Sequence, residues 1–271
     1  MKTLKEHIIL YDAVCPLCRL YTGAFVKGRF LDEQGRAPYQ ELRADSCPGL
    51  DRARAVNEIA LVDRRSGTIT YGVDSLFKIL SHRWPALRPL FRCGPFAWLV
   101  QKLYSLVSYN RRVIMPAAGE GAGTPPSFHR GWRAAWMATC WLLTSIILQN
   151  YSARLEGVIP GGAPWREWAV CGGQLLWQGA LACVVARTKT WEYLGTMMTV
   201  SLAGAIGLAL LAALQDILGL ADPVIAAGCF CTVAGLILAE HQRRCRILEL
   251  PGTMTAGWIL YRATILYFIL N

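Results

Sequence analysis

Two cysteines separated by two residues, Cys15 and Cys18, are the side chains in this sequence most suited to chemistry. They follow an apolar run, residues 7–11, that predicts a short strand, and Pro16 suits the first residue of a helix, where its missing N–H would have no partner anyway. The N-terminus of a helix presents unpaired N–H groups and a positive dipole end, and both favour a thiolate at Cys15. Because the thiolate is the attacking form, the pattern predicts thiol–disulfide exchange at this pair.

The two thiols are expected to differ in role. Cys15 precedes the helix and should be the more exposed, attacking thiol, whereas Cys18 lies one turn inside and would resolve a mixed disulfide. Asp12, three residues before Cys15, has two interpretations that the sequence leaves open. It either takes up the Cys18 proton, if burial favours its protonated form, or closes the strand and accepts backbone hydrogen bonds in the turn.

A Cys-x-x-Cys pair can also be half of a zinc site, or an inert pair packed in a core. Zinc sites usually need a second pair of Cys or His ligands at matching spacing. Cys47 and Cys93 are the other cysteines of the first half, neither has a neighbouring ligand, and the four histidines are scattered along the chain. We therefore predict no metal site.

The composition changes near Pro125, and the change divides the chain. Beyond it, charges cluster between long apolar runs: residues 134–153, 168–186, 193–215 and 223–239 carry none, and 250–271 carries one. A bilayer span needs about 20 residues with few or no charges. We predict a soluble head over residues 1–115, a flexible linker over 116–130, and a membrane domain of four to five transmembrane helices over 131–271.

The connections between these runs predict an orientation. Basic residues precede the first run and fill the connections after the second and fourth runs, whereas the alternate connections are balanced or acidic. Cytoplasmic loops collect Lys and Arg, and residues 8–10 are too short for an apolar targeting segment, so we expect a cytoplasmic head. The net charge of +10 then serves topology and attraction to anionic lipid, and no basic stripe with interleaved aromatics suggests nucleic acid. Ten cysteines facing a reducing compartment argue against a disulfide framework.

The head has the element order of a thioredoxin fold. Periodicity and turn residues predict helices over 16–30, 50–57, 73–84 and 96–109, and strands over 7–11, 38–45, 58–63 and 68–72. The predicted fold class is an α/β thioredoxin-like domain followed by an all-α transmembrane bundle.

Three short motifs resemble a known family. Asp12-Ala13-Val14-Cys15-Pro16-Leu17-Cys18 is similar to the Asp-x-x-Cys-x-x-Cys signature of the DCC family of thioredoxin-like thiol–disulfide oxidoreductases. Gly72-Val73-Asp74-Ser75 resembles its middle motif, and Tyr104 through Asn110-Arg111 resembles its closing motif. The resemblance covers about the first 115 residues and implies a redox role for the cysteine pair. Ala13 stands where the family usually has Gly, and residues 55–58 lack the proline that thioredoxins place before the third strand, so substrate recognition should differ from thioredoxin.

Other residues of the head have supporting roles. Gly72 is expected to meet a backbone demand before a helix. Asn110 and Arg111 either cap the last helix of the head or hold an acidic partner.

Three residues of the membrane half are candidates for function. Cys171 and Cys229 are placed near the outer face, where they form a thiol relay or simply pack as small apolar residues. Arg262 lies inside the last apolar run, where a charge is costly and indicates function. Its candidate roles are pairing with Glu240 or Asp216, binding a lipid or quinone headgroup, and snorkelling.

The predicted protein is a membrane-anchored enzyme that exchanges electrons between its cysteine pair and a protein dithiol or disulfide, with no cofactor required and a quinone left open. Its partners would be the substrate protein, the bilayer and other membrane subunits. The alternative is a non-enzymatic assembly factor or complex subunit whose thioredoxin-like head is a binding module. Redox function predicts a Cys15 thiolate near neutral pH, and the binding module does not.

Overall fold

The computed structural model describes residues 3–42, 47, 49–117 and 127–271. It divides into two compact units, Met1–Arg133 and Ala134–Asn271. Most of the predicted linker, residues 118–126, lies outside the described part, as do residues 43–45 of the predicted second strand.

A four-stranded mixed sheet with the order β2-β1-β3-β4 forms the centre of the first unit. Its strands are β1 (His7–Tyr11), β2 (Arg36–Pro38), β3 (Ala60–Asp63) and β4 (Ile69–Tyr71). The strand β1 runs parallel to β2 and antiparallel to β3, and β3 pairs antiparallel with β4. The predicted fold class of the head is therefore confirmed.

Both faces of this sheet are covered. Ile9 pairs with Leu61, and both point into one buried cluster; the neighbouring pair of Leu10 and Ala60 points into another. This alternation follows from the two-residue period of a strand. The helices of the unit are α1 (Pro16–Lys27), α2 (Arg52–Asn57), α3 (Gly72–Arg83), α4 (Arg88–Arg92) and α5 (Gly94–Ile114).

Two predicted elements of the head were placed wrongly. The second strand was predicted over 38–45, but β2 ends at Pro38 and a 3-10 turn, Tyr39–Glu41, follows it. The parallel pairing to β1 uses Arg36, Ala37 and Pro38, and the chain then turns because Tyr39 is buried beneath the sheet. The last helix was expected to end at Tyr109 but continues to Ile114, since Asn110, Arg111 and Val113 are all buried.

Gly72 connects β4 to α3 in a conformation that favours glycine. Its φ is +56°, and its N–H donates to the carbonyl of Ile59 at 2.8 Å. A Cβ at this position would lie 2.8 Å from Oε2 of Glu58. The positive φ therefore favours glycine here, and a Cβ would in addition displace the carboxylate of Glu58.

The second unit is all helical. Its helices are α6 (Arg130–Ser152, which begins in the first unit), α7 (Arg166–Val185), α8 (Thr190–Leu218), α9 (Pro223–Ile247) and α10 (Thr253–Leu270). Within the described residues, four helices are long and apolar enough to cross a membrane, and they correspond to α7, α8, α9 and α10. The helix α6 is not among them, because Trp, Thr, Gln and Asn dilute its apolar residues. The segment of α6 was predicted as the first of four to five spans. The last segment, which was the fifth in that prediction, forms α10 and is long and apolar enough to cross a membrane.

These helices reverse the pattern of a water-soluble bundle. The buried side chains of α7 include Cys171, Gln174 and Gln178, while Leu176 and Val184 are 75% and 85% exposed. Large exposed apolar surfaces of this kind are typical of contact with lipid. The central helix α8 packs against α7 and α9, and a Cβ on its Gly204 would lie 2.1 Å from Cδ1 of Ile237. Such close helix approach through small residues is common in membranes.

A buried hydrogen-bond network joins the four apolar helices. The hydroxyl of Tyr193 donates to Oε1 of Gln178 at 2.8 Å and lies 3.1 Å from Nε2 of His241. The hydroxyl of Thr255 lies 3.3 Å from Nδ1 of the same histidine. Because lipid offers no alternative partners, these bonds help to hold the helices in register.

The glycine requirement can be tested with a matched pair of variants. Gly72→Ala should lower the free energy of unfolding of the head by about 1–2 kcal/mol for the left-handed conformation, plus the cost of displacing Glu58. Gly67→Ala, at φ +69° with nothing within 4 Å of the added Cβ, should show the conformational cost alone. Hydrogen exchange of the β1 amides in the full chain measures both. Equal losses for the two variants would show that the contact with Glu58 is unimportant.

Candidate active site around Cys15 and Cys18

The cysteine pair lies where β1 meets α1. Cys15 is the N-cap residue of α1, and Pro16 is the first residue of the helix. The backbone N–H of Cys18 donates to Sγ of Cys15 at 3.4 Å, so the Cys15 sulfur takes the place of a capping oxygen. The hydroxyl of Tyr21 lies 4.0 Å from Sγ of Cys18. Sequence reasoning missed this contact of Tyr21, because the residue occupies an ordinary position within the helix.

Both thiols are buried. Cys15 is 1% exposed and Cys18 is 3% exposed, so the expectation that Cys15 would be the more exposed thiol is wrong. The cause is local packing, because Tyr11, Leu17 and Tyr21 cluster with the two sulfurs. A substrate reaches Sγ of Cys15 only after side chains around it move.

Asp12 is a buried carboxylate whose two oxygens both have partners. Its Oδ1 accepts hydrogen bonds from the N–H of Val14 at 3.1 Å and from Nε2 of Gln40 at 2.7 Å. Its Oδ2 accepts one from Nη2 of Arg111 at 3.0 Å. Gln40 also accepts from the N–H of Ala13 at 3.2 Å. These contacts include the turn-closing bond considered from the sequence, and they fix the loop that leads to Cys15.

Neither Asn110 nor Arg111 caps the last helix of the head, because α5 continues past them to its C-cap at Met115. Arg111 instead holds the acidic partner, Asp12, and also donates to the carbonyl of Val56 at 2.7 Å. Asn110 donates to the carbonyl of Trp132 at 2.9 Å and accepts from Nε of Arg133 at 2.8 Å. The two neighbouring residues therefore hold different parts of the first unit.

One face of α5 fixes the chain just before β3. The hydroxyl of Tyr104 accepts from the N–H of Ile59 at 3.0 Å, and the hydroxyl of Ser108 donates to the carbonyl of Asn57. With Arg111 on Val56, these side chains follow the i, i+4, i+7 spacing of one helical face. The closing motif is therefore a clamp on residues 56–59. Ser108 and Gln40 were missed from the sequence, because no local pattern distinguishes them from surface residues.

The environment of the pair separates the acid strengths of the two thiols. The pKa of Cys15 is lowered to about 6, first by the hydrogen bond from the Cys18 side chain, then by the Cys18 N–H and the positive charge of Arg111; burial and Asp12 oppose this. The pKa of Cys18 is raised above its ordinary value, first by the same hydrogen bond and then by burial. At neutral pH the arrangement therefore holds a thiolate at Cys15 and a thiol at Cys18.

The candidate residues of the membrane half are not brought into one site. Cys171 lies near Arg262, whereas Cys229 accepts a hydrogen bond from Gln215 at 3.5 Å, and all ten cysteines are free. Neither acidic partner suggested for Arg262 holds it. Glu240 binds Arg243 and Arg244, and Asp216 binds Arg154.

No group of three His, Cys, Asp or Glu side chains that could hold a metal ion occurs in the part of the chain that the structure covers.

Residues 9–116 match the family model of the DCC1-like thiol-disulfide oxidoreductases. The resemblance inferred from the three motifs is therefore confirmed over this segment, which holds the sheet, the cysteine pair and the clamp formed by α5. No curated protein and no solved structure matches the chain. The match supports a redox role in general for the first unit.

The hydrogen bond from Cys18 can be tested by the pH dependence of alkylation at Cys15. Cys18→Ala removes the donor, so the midpoint should rise from about 6 toward the ordinary thiol range near 8.5. Cys18→Ser keeps a donor at the same position and should retain most of the shift. Alkylation of the full chain in detergent, mapped to Cys15 by mass spectrometry, gives both midpoints. An unchanged midpoint in Cys18→Ala would refute this origin of the acidity.

The ion pair of Asp12 and Arg111 can be tested by its contribution to stability. Arg111→Met removes the hydrogen-bonded cation of the buried Asp12 carboxylate and leaves only the more distant Arg112, 3.9 Å away, and we expect a loss of about 3–5 kcal/mol in the free energy of unfolding of the head. The control is Arg65→Met, whose side chain is 79% exposed and 4.0 Å from Glu6, with an expected change within about 0.5 kcal/mol. Hydrogen exchange of the β1 amides measures the difference. A small loss in Arg111→Met would contradict the structural importance of this pair.

Proposed function

We propose that the head carries out thiol–disulfide exchange with a protein dithiol or disulfide, and that Cys15 is the attacking residue. The observation that carries the proposal is the placement of the Cys15 sulfur at the N-terminus of α1, with the Cys18 side chain and Arg111 both stabilising its negative charge. The family match over residues 9–116 supports the same class of chemistry.

The proposed reaction in the reducing direction has two exchanges. The Cys15 thiolate attacks one sulfur of the substrate disulfide, which forms a mixed disulfide and releases the other substrate sulfur as a thiolate. Cys18 then attacks Sγ of Cys15, and its proton passes to a released substrate thiolate. The products are a substrate dithiol and a Cys15–Cys18 disulfide, which an external dithiol must reduce. The oxidising direction is the same sequence reversed.

The order of the two steps follows from the charge at Cys15. While Cys15 is a thiolate, its hydrogen bond with Cys18 is the largest cause of the raised pKa of Cys18. Once Cys15 is in a mixed disulfide, it carries no charge and this bond weakens. Burial is then the remaining cause that raises the pKa of Cys18, and the positive charge of Arg111 still lowers it. Cys18 therefore stays protonated while Cys15 attacks the substrate, and it becomes easier to ionise once the mixed disulfide has formed.

Asp12 acts in this proposal as a positioning residue. Its carboxylate oxygens are occupied by Val14, Gln40 and Arg111, so it orients the cation beside the thiols and shapes the turn. This arrangement favours the structural interpretation of Asp12 over a proton relay.

We further propose that α7, α8, α9 and α10 anchor the protein in a membrane and that the head is cytoplasmic. The connection α7–α8 carries Arg187 and Lys189, and the C-terminal end of α9 carries the three arginines at 243, 244 and 246, which favours a cytoplasmic location for both. The N-terminus of α7 is then on the opposite side, and the head is cytoplasmic only if α6 also crosses. Its 23 residues give a length of about 34 Å, and residues 134–152 carry no charge, so crossing is feasible.

The exchange reaction can be tested with a peptide disulfide whose cleavage separates a fluorophore from a quencher. With dithiothreitol as the reductant, the purified full chain should cleave the peptide catalytically, and Cys15→Ser should reduce the rate to background because the nucleophile is gone. In a single-turnover reaction without dithiothreitol, Cys18→Ser should stop at one mixed disulfide per chain. The control is Cys93→Ser, which removes an exposed thiol outside the site and should keep the full rate. A wild-type rate in Cys15→Ser would exclude Cys15 as the nucleophile, and a wild-type chain that cleaves no faster than background would favour the binding-module alternative.

The orientation can be tested by labelling Cys93, an exposed residue between α4 and α5, with a membrane-impermeant maleimide. We expect no labelling in intact cells and labelling after permeabilisation. Cys93→Ser identifies the signal, because the other exposed cysteines, Cys183 and Cys231, lie within apolar helices. Labelling of intact cells would show that the head faces outward and that α6 does not cross.

A further inference from the structure

Arg262 is a cation in the middle of an apolar helix. It lies about 13 Å from either end of α10, at the depth where an unpaired charge is most costly. Its guanidinium lies over the ring of Trp258, 5.4 Å from the centroid, and its Nε is buried without a hydrogen-bond partner. Among the described residues it forms no ion pair. The interaction with Trp258 offsets only part of this cost.

The arginine lines a cavity of about 480 Å³ whose walls come from α6 to α10. Most of the wall is apolar and includes Leu208, Phe230, Ile237 and Leu266. Pockets of this size that combine apolar walls with a few polar groups are typical ligand sites.

Polar side chains from other helices line the same cavity, and one of them is Ser201 on α8. Thr144 on α6 is 2% exposed, and its hydroxyl has no hydrogen-bond partner in the described structure. Glu167 on α7 is bound by Arg166 at 2.9 Å, so its charge is already compensated. The cavity therefore offers one uncompensated positive charge and, at Thr144, a buried hydroxyl without a partner in the described structure, in mostly apolar surroundings.

We propose that this cavity binds a long-chain carboxylate, with its carboxylate on Arg262 and Thr144 and its hydrocarbon chain against the apolar wall. A guanidinium binds a carboxylate through two parallel hydrogen bonds. These charge-assisted bonds are stronger than hydrogen bonds between neutral groups. Binding would compensate the charge of Arg262 within the membrane. The proposal rests on the proposed membrane insertion of α10 and does not depend on the redox chemistry of the head.

The depth and the charge of the site argue against other lipid-soluble ligands. A phospholipid keeps its phosphate at the membrane surface, about 13 Å from Arg262. A quinone or a fatty alcohol can accept hydrogen bonds from Arg262, but it leaves the positive charge uncompensated. Charge complementarity therefore selects a carboxylate.

The test uses photoreactive palmitate with the full chain in phosphatidylcholine nanodiscs, and mass spectrometry maps the labelled residues. We expect labelling of the cavity wall on α9 and α10, with competition by unlabelled palmitate and little competition by hexadecanol or ubiquinone. Equal competition by hexadecanol would overturn the role of charge. If ubiquinone competed with the probe and unlabelled palmitate did not, the cavity would be assigned to a quinone and the proposal would be overturned.

Matched variants separate binding from folding. Arg262→Met should reduce labelling about tenfold or more, while the thermal midpoint of the unliganded protein stays unchanged or rises, because an uncompensated charge has been removed. Arg262→Lys should retain part of the labelling, and Thr144→Val should lower it more modestly. The control is Arg243→Gln, in the ion pair with Glu240 outside the cavity, and should label normally. Full labelling of Arg262→Met, or a large drop in its thermal midpoint with labelling retained, would contradict the proposal.

Discussion

The ion pair between Asp12 and Arg111 is the interaction on which the site depends. It joins the residue that follows β1 to a residue near the end of α5, and both side chains are almost completely buried. A buried pair of this kind is costly to form and far more costly to break from one side. Here it places a permanent positive charge beside two sulfurs and fixes the turn that leads to Cys15. The same guanidinium binds the carbonyl of Val56, so the loop before β3 is tied to the turn as well.

The acidity of Cys15 follows from this arrangement rather than from exposure. Burial alone would raise the pKa of both thiols, and the opposite outcome at Cys15 requires the hydrogen bond from Cys18, the helix terminus and the arginine together. Because this thiolate is buried, it should react slowly with small disulfides in solution. The site is therefore suited to a partner whose binding moves the covering side chains, as expected for a protein substrate.

The sequence was informative where chemistry is local. The strand before Cys15, Pro16 at the start of α1, the hairpin of β3 and β4 and the motifs that resemble the family all depend on neighbouring residues, and the fold class is confirmed. It could not show that Arg111 binds Asp12, because 99 positions separate them and either residue could have had another partner. The second strand was misplaced because Pro38 resembles the start of an extended segment, whereas it ends one. In the membrane half, apolar length indicated five segments, of which the last four form helices long and apolar enough to cross a membrane, but the surroundings of Arg262 depend on how these helices pack.

The reduction potential of the Cys15–Cys18 couple, measured against pH in the purified full chain, tests the central claim most directly. A couple that takes up two protons changes by about 59 mV per pH unit, and one that takes up a single proton changes by about 30 mV. With a Cys15 thiolate held by Cys18 and Arg111, the slope should change from the larger to the smaller value near pH 6. A slope that stays near 59 mV per unit up to about pH 8.5, the range of an ordinary thiol, would contradict the account, as would the absence of a reversible couple.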